Sequence, residues 1–261
     1  MESKKETKFQ YLSLEQLKKF QTHVNKKPLF SNVLSAALPA FGSVKNMVPE
    51  IYNQQNNDCV ANAVALSYRM TEKDKTFIPS RRYIYYKTRL VEDNNDPNLV
   101  QDEGSNPSDS LDFLKSHGVC SESTLPYLSD NVNVIPNSKM DLEALNHTIK
   151  QFYQLPANNL QSVKQAILRG VPVIVGVACY ESFESSHCLS TGVIPMPNVK
   201  NEQFLGGHEM LICGYYDKPQ LLTLANSWGS SVGHNGFFYL PYSYLTNSNF
   251  TWSLLTIEKG F

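Results

Sequence analysis

Asn53-Gln54-Gln55-Asn56-Asn57-Asp58-Cys59-Val60-Ala61-Asn62-Ala63 is the stretch that decides how this chain is read. Ala61, Ala63, Ala65 and Leu66 are good helix formers, and Asp58 stands where an N-cap would. The spacing therefore predicts a helix from Cys59 to Met70 with the thiol in its first turn. Unpaired N–H groups and partial positive charge at a helix start favour a thiolate, which is the nucleophilic form of cysteine. Taken singly, such a cysteine is as readily a small buried hydrophobe. It gains meaning from two stretches far downstream, Gly206-Gly207-His208 and Asn226-Ser227-Trp228-Gly229. A nucleophilic thiol needs a base for its proton and a third group to orient that base. Cys59, His208 and Asn226 supply the three in that order. Gln54 carries an amide that can donate to an oxygen becoming an anion, with the Cys59 N–H as second donor. Gln55 competes with it for that role. Trp228 can shield the His–Asn contact from water.

Composition narrows the classes. The 261 residues suffice for one large domain or two lobes sharing an interface. A 41% hydrophobic content and a formal net charge of -1 describe an ordinary globular chain. That balance argues against nucleic acid or an anionic membrane as the main partner. No apolar run approaches the ~20 residues of a membrane span. The charged start, Met1 to Lys8, is followed by no apolar signal core, so an intracellular or virion-associated protein is expected. The five cysteines, Cys59, Cys120, Cys179, Cys188 and Cys213, are odd in number and lack CxxC spacing. Reduced thiols are expected, with no metal site and no cofactor. Cys179, His187 and Cys188 match no metal-ligand spacing.

Helical and β signals separate along the chain. Ser13-Leu14-Glu15-Gln16 is a capping-box pattern, and Leu14, Leu17, Phe20 and Val24 follow at helical spacing. Asn32 to Phe41 is apolar and interrupted by Pro39. Pro79 to Leu90, with Tyr83-Ile84-Tyr85-Tyr86, reads as a helix. Glu92 to Ser110 reads as a long loop, Leu111 to Ser116 as a short helix, and Leu128 to Lys139 as irregular. Asn159 can cap a helix over Leu160 to Leu168. Val171 to Val177, His208 to Tyr216, Leu221 to Asn226, Gly236 to Leu240 and Ser253 to Lys259 read as strands. The expected organisation is an N-terminal extension over 1–45, a mainly helical lobe over 46–145 and a mainly β lobe over 146–261.

With these residues in view, the chain resembles the papain-like cysteine peptidases, in the compact branch found in bacteria and large DNA viruses. The resemblance rests on Tyr52-Asn53-Gln54, Cys59 to Ala63, Pro79 to Tyr86, Gly118 to Ser123, Tyr180 to Ser185 and Thr191 to Pro197. It rests further on Gly206-Gly207-His208 and on Asn226-Ser227-Trp228-Gly229 with Gly233 to Phe238. It implies an α+β fold of two lobes, one helical and one β-barrel-like, with the active site in the cleft between them. It implies acyl transfer: Cys59 attacks a peptide carbonyl, His208 protonates the leaving amine, and water hydrolyses the thioester. An extended peptide or protein substrate would pair near Gly104, Ser105 and Asn106, with Gly207, Met196 and Trp228 around it.

Three departures stand out. The family's glutamine lies one residue further from the cysteine than Gln54. Val60 follows the nucleophile where papain has an aromatic. Asn56 replaces a cysteine that forms a disulfide in secreted members. Two other functions share the fold: an idle structural or binding domain, and an exopeptidase, deamidase or transglutaminase-type enzyme. The stretch 1–45 is expected either to block the cleft as a pro-segment or to brace the lobes.

Overall fold

The computed structural model describes residues 9–16, 37–128 and 132–258. The extension's amphipathic stretch at Leu17, Phe20 and Val24, and the segment Asn32 to Ala36, lie outside them. A short strand β1 (Phe41–Ser43) opens the body. Then comes helix α1 (Cys59–Thr71), in which every residue but Arg69 is buried. A helix buried on all sides is a central one. It packs against the sheet on one side and against α2 (Arg81–Glu92) and α3 (Pro107–His117) on the other. The Oγ of Ser80 caps α2 by accepting from the Tyr83 N–H at 3.1 Å. The expected loop up to Ser110 ends four residues earlier. Asn106 Oδ1 accepts from the N–H of Ser108 at 2.8 Å, and Pro107 occupies the first helical position, where its missing N–H costs nothing. The expected irregular stretch up to Lys139 likewise ends early, at the start of α4 (Ser138–Ala144), capped by Asn137.

β2 (Phe152–Gln154) and α5 (Leu160–Leu168) lead into the β lobe. The further strands are β3 (Val173–Tyr180), β4 (Phe204–Tyr216), β5 (Leu221–Ala225), β6 (Phe237–Pro241) and β7 (Thr251–Ile257). They form one antiparallel sheet in the order β2-β7-β3-β4-β5-β6, and β1 adds to β4. Two short helices, α6 (Ser186–Thr191) and α7 (Tyr242–Leu245), pack around it. Thus residues 41–43, assigned to the extension from sequence, are part of the sheet. No helix among the described residues is long and apolar enough to cross a membrane.

Asp58 stands at the N-cap position of α1 but its side chain does not cap. Its Oδ2 accepts from Arg82 Nη1 at 3.0 Å and from the Tyr127 hydroxyl at 2.8 Å. Both members of this ion pair are almost wholly buried, at 1% and 0% side-chain exposure. The same guanidinium donates to Asn56 Oδ1 at 2.5 Å and to the Leu128 carbonyl. Burial pushes Asp58 up to about 6 against the opposing pull of Arg82. The loop 53–58 is thereby tied to α2, and the tie sets where α1 begins.

A second buried carboxylic acid lies in the sheet. Glu209, Gly176 and Ser253 form one row across β4, β3 and β7. Glu209 Oε1 accepts from Ser253 Oγ at 2.8 Å and from the Trp252 indole, while Oε2 has no partner. Burial pushes this carboxyl up to about 8 from its ordinary 4.5.

Arg82→Ala leaves a buried carboxylate without its cation and should cost on the order of 3–5 kcal/mol in urea unfolding. Glu209 binds its proton more tightly folded than unfolded, so its contribution to stability is present below about 4.5 and is lost as pH rises through about 8. Glu209→Gln should flatten the fall in stability across that window. An unchanged slope would exclude Glu209 as its source.

Candidate active site

Cys59 is the first residue of α1 and its side chain is 1% exposed. The thiol hydrogen-bonds the backbone of Glu209, the residue after His208, so α1 meets β4 at the centre of the site. His208 is fully buried, and its Nε2 lies 2.7 Å from Asn226 Oδ1. That oxygen also accepts from the Ser227 N–H at 2.7 Å. An amide oxygen only accepts, so the imidazole proton is on Nε2 and the Nδ1 lone pair is left over. Nδ1 has no hydrogen-bond partner. The Trp228 ring stacks on the imidazole at 4.9 Å and is itself held edge-on by Phe183 and Phe238. It covers the His208–Asn226 bond from solvent, where that bond is stronger.

Gln54 lies beside this group. Its N–H donates to the Ser227 carbonyl at 2.7 Å, its Oε1 accepts from Ser227 Oγ, and its Nε2 donates to the Asn56 carbonyl at 3.1 Å. One of the two Nε2 protons remains for another acceptor. Gln55 turns the other way: its N–H donates to Tyr127 and its exposed side chain to the Asn53 carbonyl. A backbone bridge between Asn53 and Trp228 joins the two lobes here.

The cleft is occupied by the chain itself. Phe9 stacks on Trp228 at 3.9 Å and 4°. Tyr11 sets its ring edge-on to His208 at 6.2 Å and to Trp228 at 6.0 Å. Leu12 pairs with Gly207 through both backbone bonds, at 2.8 and 2.7 Å. β5 pairs with β4 only from Leu211 onward, so the edge at Gly207 is open to an added strand. Gly206 has φ +147°, and a Cβ there would lie 2.5 Å from the Leu12 carbonyl oxygen. At Gly104, φ +88°, a Cβ would lie 1.9 Å from Leu12 Cδ2. These two glycines let an extended chain lie against both walls. Ser13 and Gln16 then form the expected capping box, Oγ accepting from the Gln16 N–H at 3.3 Å.

Burial bears on the charge state of the pair. Burial pushes the Cys59 thiol up to about 12 and His208 down to about 4. Both shifts favour a neutral thiol and a neutral imidazole, against the thiolate that a helix start favours. Desolvation outweighs the helix N-terminus here.

Of the other sequence-derived candidates, Gly104 and Gly207 contact the bound segment and Trp228 stacks on it. Ser105 is buried beside Gly104, and the side chain of Asn106 is spent on capping α3. Met196 is 42% exposed and its Sδ accepts from Ser243 Oγ, so it is not brought to the centre. Sequence reasoning missed Glu184, whose Oε1 accepts from the Phe9 N–H and the Tyr11 hydroxyl. It also missed Asp102, whose carboxylate accepts from the Asn57 N–H, Asn56 Nδ2 and the Tyr85 hydroxyl. Glu184 lies inside the matched stretch Tyr180 to Ser185, but its role, like that of Asp102, comes from partners distant in sequence. No group of three or more metal-ligating side chains occurs among the described residues.

Comparison with known proteins is consistent with this geometry. The family model for papain family cysteine proteases matches residues 44–249. The chain is 30% identical over 212 residues to a peptidase C1-like protein of Acanthamoeba polyphaga mimivirus, covering 77% of this chain and 67% of that one. It is 27% identical over 132 residues to cysteine proteinase 2 of Entamoeba histolytica, 50% of this chain and 39% of that one. In structure it resembles xylellain, a cysteine protease from Xylella fastidiosa, with TM-score 0.81, 27% identity and coverage of 90% and 92%. This chain belongs to the papain family of cysteine proteases, and it is a cysteine peptidase acting on peptide or protein substrates.

Proposed function

We propose that Cys59, His208, Asn226 and Gln54 carry out the hydrolysis, and that residues 9–16 hold the cleft closed until they leave it. The observation that carries the reading is the single bond from His208 Nε2 to Asn226 Oδ1, because it leaves Nδ1 as the base. His208 Nδ1 takes the Cys59 proton. The thiolate attacks the carbonyl carbon of the scissile bond. Charge developing on the carbonyl oxygen is met by the Cys59 N–H and Gln54 Nε2. The proton on Nδ1 passes to the leaving amine. Water, deprotonated at the same nitrogen, then displaces the thiol from the thioester.

Departure of the segment rehydrates Cys59 and His208. That lowers the thiol and raises the imidazole toward their ordinary values, and so favours the reactive ion pair. A cavity of about 470 Å³ lies between Tyr11, Ser13, Glu15 and Gln16 of the segment and Asn57, Arg89, Asp102 and Glu103 of the body, so the segment does not fill this side of its seat. An idle domain of this fold is disfavoured by the intact hydrogen-bonded set. An intracellular or virion-borne setting fits five buried cysteines that are all unpaired, and neither nucleic acid nor membrane has a part in this reading.

Cys59→Ala should abolish hydrolysis, with His208→Ala nearly as severe and Asn226→Ala milder, because Asn226 orients and does not react. Gln54→Ala should lower turnover on the order of 10²-fold and Gln55→Ala little. The reverse order for the two glutamines would remove Gln54 from the oxyanion role. Deleting residues 1–36, which leaves β1 in place, should speed iodoacetamide labelling of Cys59 and turnover of a small peptide on the order of tenfold, the effect of about 1.4 kcal/mol. If thermal stability falls with no gain in labelling, the segment is a brace between the lobes and does not block the site.

A further inference from the structure

The side chain of Tyr11 fills a pocket built around one carboxylate. Glu184 ends the 3₁₀ turn Glu181–Glu184 that follows β3. Phe183 beneath it is 1% exposed and packs edge-on against Trp228, which fixes the turn to the site. Glu184 Oε1 accepts from the Tyr11 hydroxyl at 3.0 Å and from the Phe9 N–H at 3.2 Å. The groups acting electrostatically on the phenol are Glu184, Cys179 and Cys188. The pocket is thus apolar and aromatic along its walls and anionic at its end.

The pocket adjoins the reacting atoms, since His208 forms part of its wall. The next residue, Leu12, lies on the other side, with its backbone on Gly207 and its side chain on Gly104. Tyr11 and Leu12 thus meet two neighbouring residues of β4, His208 and Gly207. Any extended substrate replacing the segment must put one side chain where Tyr11 is.

We propose that this pocket is a specificity subsite that selects tyrosine on the Trp228 side of the scissile bond, with Glu184 as the residue that selects it. The proposal rests on the reading of the segment as a cleft occupant and of the chain as a peptidase. Its physical basis is that phenylalanine fills the same aromatic walls but cannot make the hydrogen bond that the tyrosine hydroxyl gives Glu184. A site built around a hydroxyl rejects the analogue lacking it more strongly than an apolar slot rejects an added group. A hydrogen bond to a charged acceptor supports a discrimination on the order of tenfold.

The test uses the full-length chain in two arms. The first needs no turnover: the rate of Cys59 alkylation by iodoacetamide is measured for the unaltered chain, Tyr11→Phe, Glu184→Ala and the double variant. Tyr11→Phe should accelerate labelling about tenfold in the unaltered background and have no further effect with Glu184→Ala, as coupled partners do. Glu184→Gln, which keeps the shape, should give an intermediate rate. Equal labelling in the unaltered chain and Tyr11→Phe, or additive effects, would overturn the pairing.

The second arm uses full-length Tyr11→Ala with peptides differing only in Tyr, Phe or Lys at the flanking position, cut sites being mapped by mass spectrometry. Tyrosine should exceed phenylalanine about tenfold in kcat/KM, and the preference should vanish when Glu184→Ala is added. A lysine preference, or a tyrosine preference that survives Glu184→Ala, would overturn the assignment. If Tyr11→Ala leaves Cys59 labelling unchanged, the blocking reading fails while the peptide arm still decides the pocket. If no peptide is cut, the peptidase reading fails while the alkylation arm still decides it.

Discussion

The buried ion pair between Arg82 and Asp58 is the constraint on which the site depends. Asp58 sits where a capping side chain would satisfy the first N–H groups of α1, and it is turned away from them by Arg82 and Tyr127. The Asp58 side chain therefore caps none of those N–H groups, and the Val60 N–H turns to the Cys59 thiol instead. A buried pair of this kind is a weak source of net stability but a strong determinant of geometry, because breaking it strands a charge. Arg82 also holds Asn56. Side-chain hydrogen bonds here brace the loop. One turn along α2, Tyr85 does the same for the opposite wall, joining Asp102 at 2.6 Å and the Gly104 N–H at 3.0 Å. One helix thus sets the spacing of both sides of the groove.

Occupancy of the cleft and the charge of the nucleophile are coupled through water. Covering Cys59 and His208 costs least when both are neutral, and the covered site holds them so. On the proposed reading the segment would act in two ways at once, by filling the space and by removing the solvent that a thiolate needs. Glu209 reinforces this. Its acid lies one residue from His208 with no cation among the groups that set its ionisation, and in its neutral form it adds no field to the pair. An ionised carboxylate there would raise the thiol further.

Much of the site was legible because its members carry local patterns. The alanine-rich run after Cys59, Asn159 ahead of Leu160 and the apolar run into Asn226 each encode their own element. The start of α3 was misplaced because Asn106-Pro107 was read as turn chemistry, although asparagine followed by proline serves equally as cap and first helical residue. Short strands such as β1 and β2 have no periodicity to detect, being three residues each. The ion pair and the Asp102 clamp join residues 24 and 45 apart, and no window along the sequence contains both partners. The burial of the thiol is illegible for a related reason: a helix N-terminus is visible in sequence, whereas the packing of α1 on β4 that buries Cys59 is not.

The open edge of β4 is where the segment adds as a strand, and on the proposed reading a substrate would use the same edge. A peptide that adds to a strand edge is held by main-chain bonds common to all sequences, and selectivity must come from side-chain pockets on either hand. An unpaired edge is also a liability, since it invites pairing with any extended chain. β5 leaves Gly207 unpaired, and Leu12 of the same chain pairs there with a donor and an acceptor. Being tethered, the segment has an effective concentration that a free peptide must exceed to displace it. Its hold can therefore be modest for each contact, and the few directional contacts, Tyr11 and Phe9 on Glu184, decide how tightly the edge stays closed.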